Sequence, residues 1–385
     1  PLNPAAYSLT PRQGFLFDFG VEGVNFYNRQ QKYADGAQTT SRTSYNTFNF
    51  HDIAFQLPLA RRLGLGFSLT PYSSVGYRVS ADEQSDDVWG NIGRVQYLYA
   101  GEGDLTEVKL GIGWEVVKRV SIGVAAQYYW GDIERTYQTV VSNNIVNGGS
   151  VNTVTGTDSY GISRIKMQLG LQADLIQSER QVLTLGATYD MGGNLRPSVN
   201  QTVVNGDIYG TVVRGDTTRM ALKLPVQLGV GLYYQNAKIA AGVDYIYQNW
   251  ENNESPKSVP GAVNVAYKNT NTVKLGFEYT PNRMDIRNYL KRWSYRVGFR
   301  YGTYYQTFEG KTLSQYAVTA GFGMPVRFLG RSSIDFGVEF GQRGNDSPLR
   351  IDNRQIGLVR QRYVKFSLGL TLFGEDSWFV RYKYD

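Results

Sequence analysis

The chain has 385 residues, a formal charge of +7, no cysteine, 43 glycines, 29 tyrosines and 18 phenylalanines. Without cysteine there is no disulfide framework and no thiolate metal site. The surplus of Lys and Arg is scattered rather than blocked, which argues against a nucleic-acid partner. A mean hydropathy of −0.35 and no apolar run of transmembrane-helix length exclude a helical membrane protein. They do not exclude a membrane β-barrel, whose alternating strands average out in such a measure. The sequence opens on Pro1 with no secretory leader, so a processed or trimmed start is expected.

Period-2 patterning predicts about fourteen strands. The first three fall at Gly14–Asn28, Thr43–Pro58 and Leu63–Val79. Next come Asp104–Val116, Arg119–Thr139, Ser159–Ile176 and Arg180–Gly192. The second half holds Asp216–Tyr234, Ala237–Trp250, Ala266–Thr280, Arg292–Gln306, Leu313–Phe328, Ser332–Gln342 and Gln361–Phe373. In Asp216–Tyr234 the residues Met220, Leu222, Leu224, Val226, Leu228, Val230 and Leu232 share one face. Elsewhere apolar positions alternate with charges, as in Y-R-V-G-F-R-Y at Tyr295–Tyr301 and I-D-F-G-V-E-F at Ile334–Phe340.

Alternation alone fits a soluble sandwich as well as a membrane barrel. The connections separate the two. Turns after Pro58, Val116, Ile176, Tyr234 and Phe328 are short. Those at Arg29–Arg42, Ser80–Gly103, Val141–Asp158, Gly193–Gly215, Glu251–Val265 and Arg343–Arg360 are long and polar. Strict segregation of short turns from long loops is the pattern of an outer-membrane barrel. Aromatic residues on the apolar faces also fall in two groups. Trp114, Tyr234, Tyr279 and Trp293 lie near short turns, and Tyr128, Trp130, Tyr189, Tyr245, Tyr247 and Tyr301 near long loops. The expected fold is all-β, a transmembrane antiparallel barrel over residues 14–373. A segment 1–13 precedes it and a tail 374–385 follows. The one longer turn on the short side, Pro281–Lys291, is expected to hold a turn or two of helix.

Few residues suggest chemistry. The single histidine, His51, has no nucleophile beside it, and no metal-ligand spacing occurs. The G-x-G pairs at Gly111–Gly113, Gly229–Gly231 and Gly321–Gly323 are not followed by a helix, so they are not nucleotide loops. The chain therefore reads as a non-enzyme without a cofactor. Lys223, Asp244, Lys274, Glu278, Arg296, Arg300, Asp335 and Glu339 are the charges of alternating strands and are expected to face the lumen and pair there. One irregularity stands out, T-P-Y-S-S-V-G-Y at Thr70–Tyr77. Pro71 cannot donate to a ladder, and Ser73, Ser74 and Gly76 are weak strand formers. The segment predicts either a bulge or an opening in the wall, with Pro71, Tyr72, Ser73, Ser74 and Gly76 at the gap.

N-P-A-A-Y at Asn3–Tyr7, placed just before the first strand of a fourteen-strand barrel, resembles the FadL/TodX family of outer-membrane transporters for hydrophobic compounds. Y-A-G-E-G-D-L at Tyr99–Leu105 resembles the family's G-x-G-G pattern before a strand, with Asp104 in place of a glycine, and G-F-G-M-P-V at Gly321–Val326, F-G-Q-R-G at Phe340–Gly344 and W-F-V-R-Y-K-Y-D at Trp378–Asp385 resemble a divergent branch of the same family. The resemblance implies an N-terminal hatch, here Asn3, Pro4 and Ala5, and a kinked third strand giving a lateral exit at Pro71–Gly76. It implies an outer-membrane location with membrane lipid and a hydrophobic small molecule, such as a long-chain fatty acid, as partners. Members of the wider family, the PorV-type barrels, dock on secretion machinery, so a structural subunit contacting other outer-membrane proteins is the alternative.

Overall fold

A computed structural model describes residues 3–10, 14–34, 37–83, 86–91, 93–142, 151–206, 211–219, 223–251, 258–259, 263–326, 332–351 and 354–375. Fourteen antiparallel strands form a closed wall. They are β1 Gly14–Ala34, β2 Ala37–Ala60, β3 Leu63–Asp82, β4 Arg94–Val117, β5 Val120–Ser142, β6 Val151–Gln177 and β7 Gln181–Asp190. After them come β8 Val226–Asn236, β9 Ile239–Asn249, β10 Thr270–Tyr279, β11 Ser294–Phe308, β12 Lys311–Val326, β13 Ser332–Arg343 and β14 Val359–Glu375. Pairing of β1 with β14 from Gly14↔Glu375 to Gln30↔Val359 closes the barrel. Closure leaves no sheet edge at that joint, which a lipid environment requires.

The predicted faces hold. Leu228, Val230 and Leu232 point outward and are 45, 50 and 39% exposed, as befits a surface covered by lipid rather than protein. Trp114 and Tyr279 ring the short-turn rim, and Tyr128, Tyr189, Tyr245 and Tyr301 ring the other, all on the outside. The tightest turns use left-handed backbone at Arg62 (φ 67°) and Arg119 (φ 74°), which matches the twist of the strands they join. In Pro281–Lys291 the expected helix is a single 3-10 turn at Tyr289–Arg292.

Several boundaries differ from expectation, and β6 too begins early, at Val151 within the expected loop Val141–Asp158. The polar stretches at Arg29–Arg42 and Ser80–Gly103 are mostly strand. β1 and β2 pair up to Ala34↔Ala37. β3 and β4 pair up to Asp82↔Gln96, capped by a helix at Asp86–Asn91. The β1–β2 extension is polar on both faces, so it lacks the alternation that marks a half-buried strand, and the β4 extension sets Val95, Tyr97, Leu98 and Tyr99 among polar residues. The predicted strand Asp216–Tyr234 is broken before Pro225: Thr211–Arg219 pairs with Ser198–Gly206 in a hairpin added to β6, and only Val226 onward belongs to the wall. Leu224 therefore leaves the lipid face, while Met220 and Leu222 lie outside the described residues. Finally, β14 runs to Glu375, and the remaining tail with Trp378, Phe379, Tyr382 and Tyr384 lies outside the described residues.

The wall is lopsided. β1 to β6 are 20–27 residues long, whereas β7 to β10 are 10 or 11. About ten residues suffice to cross a bilayer. The tall half therefore stands roughly 25–40 Å proud of the short half on the long-loop side.

Candidate functional site

Three features fill or breach the barrel: a docked N-terminal segment, a charged lumen and a split in the wall.

Asn3, Pro4 and Ala5 lie together in the N-terminal segment. Pro4–Leu9 is a 3-10 helix capped by Asn3, whose Oδ1 accepts from the Ala5 amide at 3.0 Å. The Asn3 Nδ2 donates to the carbonyls of Leu171 (2.9 Å) on β6 and Ala187 (3.3 Å) on β7. Ser8 Oγ donates to Ala5 O and meets Ser121 Oγ at 2.8 Å. From the other side, Gln56 Nε2 donates to Ala6 O (3.3 Å), Tyr7 O (3.4 Å) and the Thr10 hydroxyl. The helix touches bare backbone. A Cβ on Gly64, Gly66, Gly111, Gly113, Gly123 or Gly170 would overlap Asn3, Pro4, Ala5 or Tyr7. This explains G-x-G at Gly111–Gly113: inward-facing glycines on β3 to β6 form a bed on which the segment lies, near the short-turn rim. Ala5 is 0% exposed and Tyr7 1%.

The lumen is polar. Of the eight charges expected there, seven lie on wall strands and converge. Arg296 Nε bonds Glu278 at 2.8 Å, and its Nη1 bonds Asp335. Arg300 Nη2 bonds Glu339 Oε1 and the Tyr363 hydroxyl, each at 2.8 Å, while Tyr363 also donates to Glu339. Asp244 stands opposite Lys274 in the ladder, and Lys274 opposite Arg300. Lys223 is the exception. It pairs with Asn194 in a two-residue rim sheet, because Pro225 follows it and breaks the wall strand.

Sequence reasoning missed further lumen groups. Glu22 pairs with Lys365 at 3.0 Å. Asp18 accepts from Thr371 at 2.8 Å. A bulge at Gly20/Val21 turns both His51 and Asp52 inward, 2.6 Å apart, against the simple alternation of β2. Gln127 bridges Glu107 (3.0 Å) and Asp190 (3.3 Å), and Gln227 bonds Asp190 at 3.1 Å. The signal was available for Asp18 and Glu22, which interrupt the apolar run F-D-F-G-V-E. Nothing local marks the His51 bulge. Above this belt, the segment near Leu195 folds inward. Leu195 is buried with Leu105 and Ile162, against Ile133 and Leu224, and its carbonyl accepts from Arg164 Nε at 3.0 Å.

The irregular segment Thr70–Tyr77 is both bulge and boundary. Its ladder to β4 continues, with a register shift between Pro71 and Ser73. Tyr72 is the extra residue; its ring packs edge-on against the buried Tyr129, with centroids 4.8 Å apart. On the other side the β2–β3 ladder runs only from Ala60↔Leu63 to Ile53↔Leu69. Past that point, among the described residues, β2 pairs with β1 alone and β3 with β4 alone. The two strands thus part at Thr70, and Pro71, Tyr72, Ser73, Ser74 and Gly76 line the β3 side of the split. Pro71 is in register with Thr106, and Thr106 with Trp130, so the split begins at the level of the aromatic ring on the long-loop side.

A family model described as BamG matches residues 2–385. The chain belongs to the BamG family. Among curated proteins none matches its sequence. Among solved structures, this BamG-family chain is similar to a Pseudomonas aeruginosa FadL homologue, with a TM-score of 0.63 and 13% identity over 96% of this chain and 92% of the other. It is similar to the Pseudomonas putida toluene transporter TodX, at TM-score 0.60 and 16% identity, covering 97 and 92%. The Ralstonia pickettii toluene transporter TbuX gives 0.52 and 14%, covering 96 and 92%. At such identities the likeness is one of fold: this BamG-family chain has the FadL/TodX-type outer-membrane barrel architecture.

Proposed function

We propose that the protein is an outer-membrane barrel that moves hydrophobic small molecules sideways between its outer mouth and the surrounding bilayer. The observation carrying this reading is the split between β2 and β3, which starts at Ile53↔Leu69 beside the kinked Pro71–Gly76 segment. The short-turn rim, with the Asn3–Leu9 plug, faces the periplasm, and the tall half faces outside the cell. An apolar molecule gains nothing from entering periplasmic water or from crossing a belt of carboxylates and guanidinium groups. Its route therefore stays above the belt. Candidate capture surfaces are the stacked rings of Trp250 and Tyr305, 4.2 Å apart, with Tyr267 alongside, and the Leu105–Ile162–Leu195 cluster. The Pro4–Leu9 helix acts as a fixed plug rather than a swinging hatch, since it is held by bonds to β2, β5, β6 and β7. The structural neighbours named as toluene transporters support the ligand class. Fatty acids remain one member of it.

The native chain has no cysteine, so the split is testable with an engineered pair. Asn49→Cys with Ser73→Cys places one thiol on each edge, where a continued register would align them. Cross-linking is expected to abolish uptake of a labelled hydrocarbon or fatty acid, and reduction to restore it. Undiminished uptake by the cross-linked barrel would overturn the lateral route.

A second reading is a docking subunit of a larger outer-membrane assembly. It is favoured by the unpaired edges themselves. Past the split, among the described residues, β2 and β3 each present an open row of backbone donors and acceptors, and such edges invite pairing with another chain. Stoichiometric co-purification of a partner, lost on cross-linking the split while hydrocarbon flux is nil throughout, would favour this reading over the first.

A further inference from the structure

The plug covers only one side of the lumen. Its contacts lie on β2 to β7, and its glycine bed on β3 to β6. Beside it a cavity of about 840 Å³ runs from Gln177, Val182 and Gln235 at the short-turn rim to Gln248 and Gln315 near the opposite ends of β9 and β12. A second cavity of about 800 Å³ shares Tyr233, Asp244 and Lys274 with the first. Together they follow the wall through its full height on the short side.

We propose that this space is an aqueous pore for small hydrated cations, distinct from the lateral route for apolar molecules. Size is the first argument. Ten to eleven residues of tilted strand span roughly 25 Å. Dividing about 840 Å³ by that height leaves a mean cross-section of roughly 30 Å², wider than a file of single waters. Lining chemistry is the second. Asp18, Asp52, Asp174, Asp244, Glu278 and Asp335 face Lys274, Arg296 and Arg300 across the two cavities. Even with His51 counted as charged, six carboxylates meet four cations. An excess of one sign in a low-dielectric channel concentrates counter-ions and selects among permeant ones.

The test uses the purified full chain in planar lipid bilayers with a KCl gradient. Unitary conductance is expected, with potassium preferred over chloride. Asp174→Asn combined with Asp244→Asn is expected to lower the potassium-to-chloride permeability ratio on the order of threefold or more, by removing two of the lining carboxylates. Thr188→Trp, which narrows the same cavity without touching a charge, is expected to lower the conductance and leave the ratio unchanged. Electrophoretic heat-modifiability shows that each variant has folded. A folded, inserted barrel that stays silent would overturn the proposal. So would a conductance indifferent to both variants. Neither result bears on hydrocarbon uptake, so the two activities stand or fall separately.

Discussion

Gly113→Ala is the most direct probe of how the N-terminal segment is held. A Cβ built at Gly113 would lie 2.6 Å from the Pro4 carbonyl oxygen, 2.7 Å from the Ser8 nitrogen and 3.0 Å from the Ala5 oxygen. Ordinary contact begins near 3.4 Å, so either the plug or β4 must give by most of an ångström. β4 is held by ladders on both sides, so the plug is the part that retreats. The Asn3 bond to Leu171 (2.9 Å) and the Ser8 contact with Ser121 (2.8 Å) then open beyond useful length. Two hydrogen bonds at about 1 kcal/mol each, with about 1–2 kcal/mol of overpacking, give about 3–4 kcal/mol against docking. That is on the order of a hundred- to a thousandfold in the docking equilibrium. Hydrogen exchange of the N-terminal peptide measures it, because the Ala5 and Ala6 amides donate to Asn3 in the docked helix. Protection there is expected to fall while the wall strands keep theirs. Gly276→Ala is the control, since nothing lies within 4 Å of its added Cβ. Unchanged protection in Gly113→Ala would refute the view that glycines hold the plug in place.

Three further outcomes are expected. Leu228→Arg puts a charge on the lipid-facing surface and is expected to cost about 2–4 kcal/mol near the midplane, read by urea titration in liposomes; a neutral result would place Leu228 in the lumen. Glu339→Ala leaves Arg300 and Tyr363 without their shared acceptor. Because Arg300 is about a third exposed (32%), the loss is expected to be about 1–2 kcal/mol rather than the larger figure for a dry pair, with insertion preserved. Asp285, in the turn after β10, accepts from the Asn288 and Arg287 amides at 2.8 and 2.9 Å, and these bonds hold its carboxyl below the usual range. Its folded value lies under its unfolded one, so the turn is supported above the unfolded value and loosens as pH falls through the folded one. Proteolysis at Arg287 is expected to rise at acid pH in the native chain and to be already high, and flat with pH, in Asp285→Ala.

The parts legible in the sequence are those where one face meets lipid and the other water. There a two-residue period is forced, and Leu228–Leu232, Tyr295–Tyr301 and Ile334–Phe340 declare their faces outright. The pair Arg296–Glu278 follows from that register, whereas Arg300–Glu339 reaches across the intervening strand β12. The tall extensions of β1 to β6 were unreadable for the opposite reason. Water on both sides leaves Q-T-T-S-R at Gln38–Arg42 without alternation, although every residue is in strand. Bulges carry little local signal. Pro71 announced one, but the turn of His51 toward the lumen depends on pairing with Gly20, far away in the chain. The bed of glycines was visible as G-x-G, yet only the docked helix shows what lies on it.

The plug has a consequence for the order of events in assembly. Its first described residue is fastened to carbonyls 168 and 184 positions further along the chain. Asn3 therefore has no berth until β6 and β7 are laid down after β5. Contacts so distant in sequence form late, because the intervening loop must be closed before they yield any stabilisation. Seating of Asn3 is in this sense a completion signal for half the wall. A pulse-labelled chain arrested before β6 would carry the whole plug sequence and leave Asn3 unfastened.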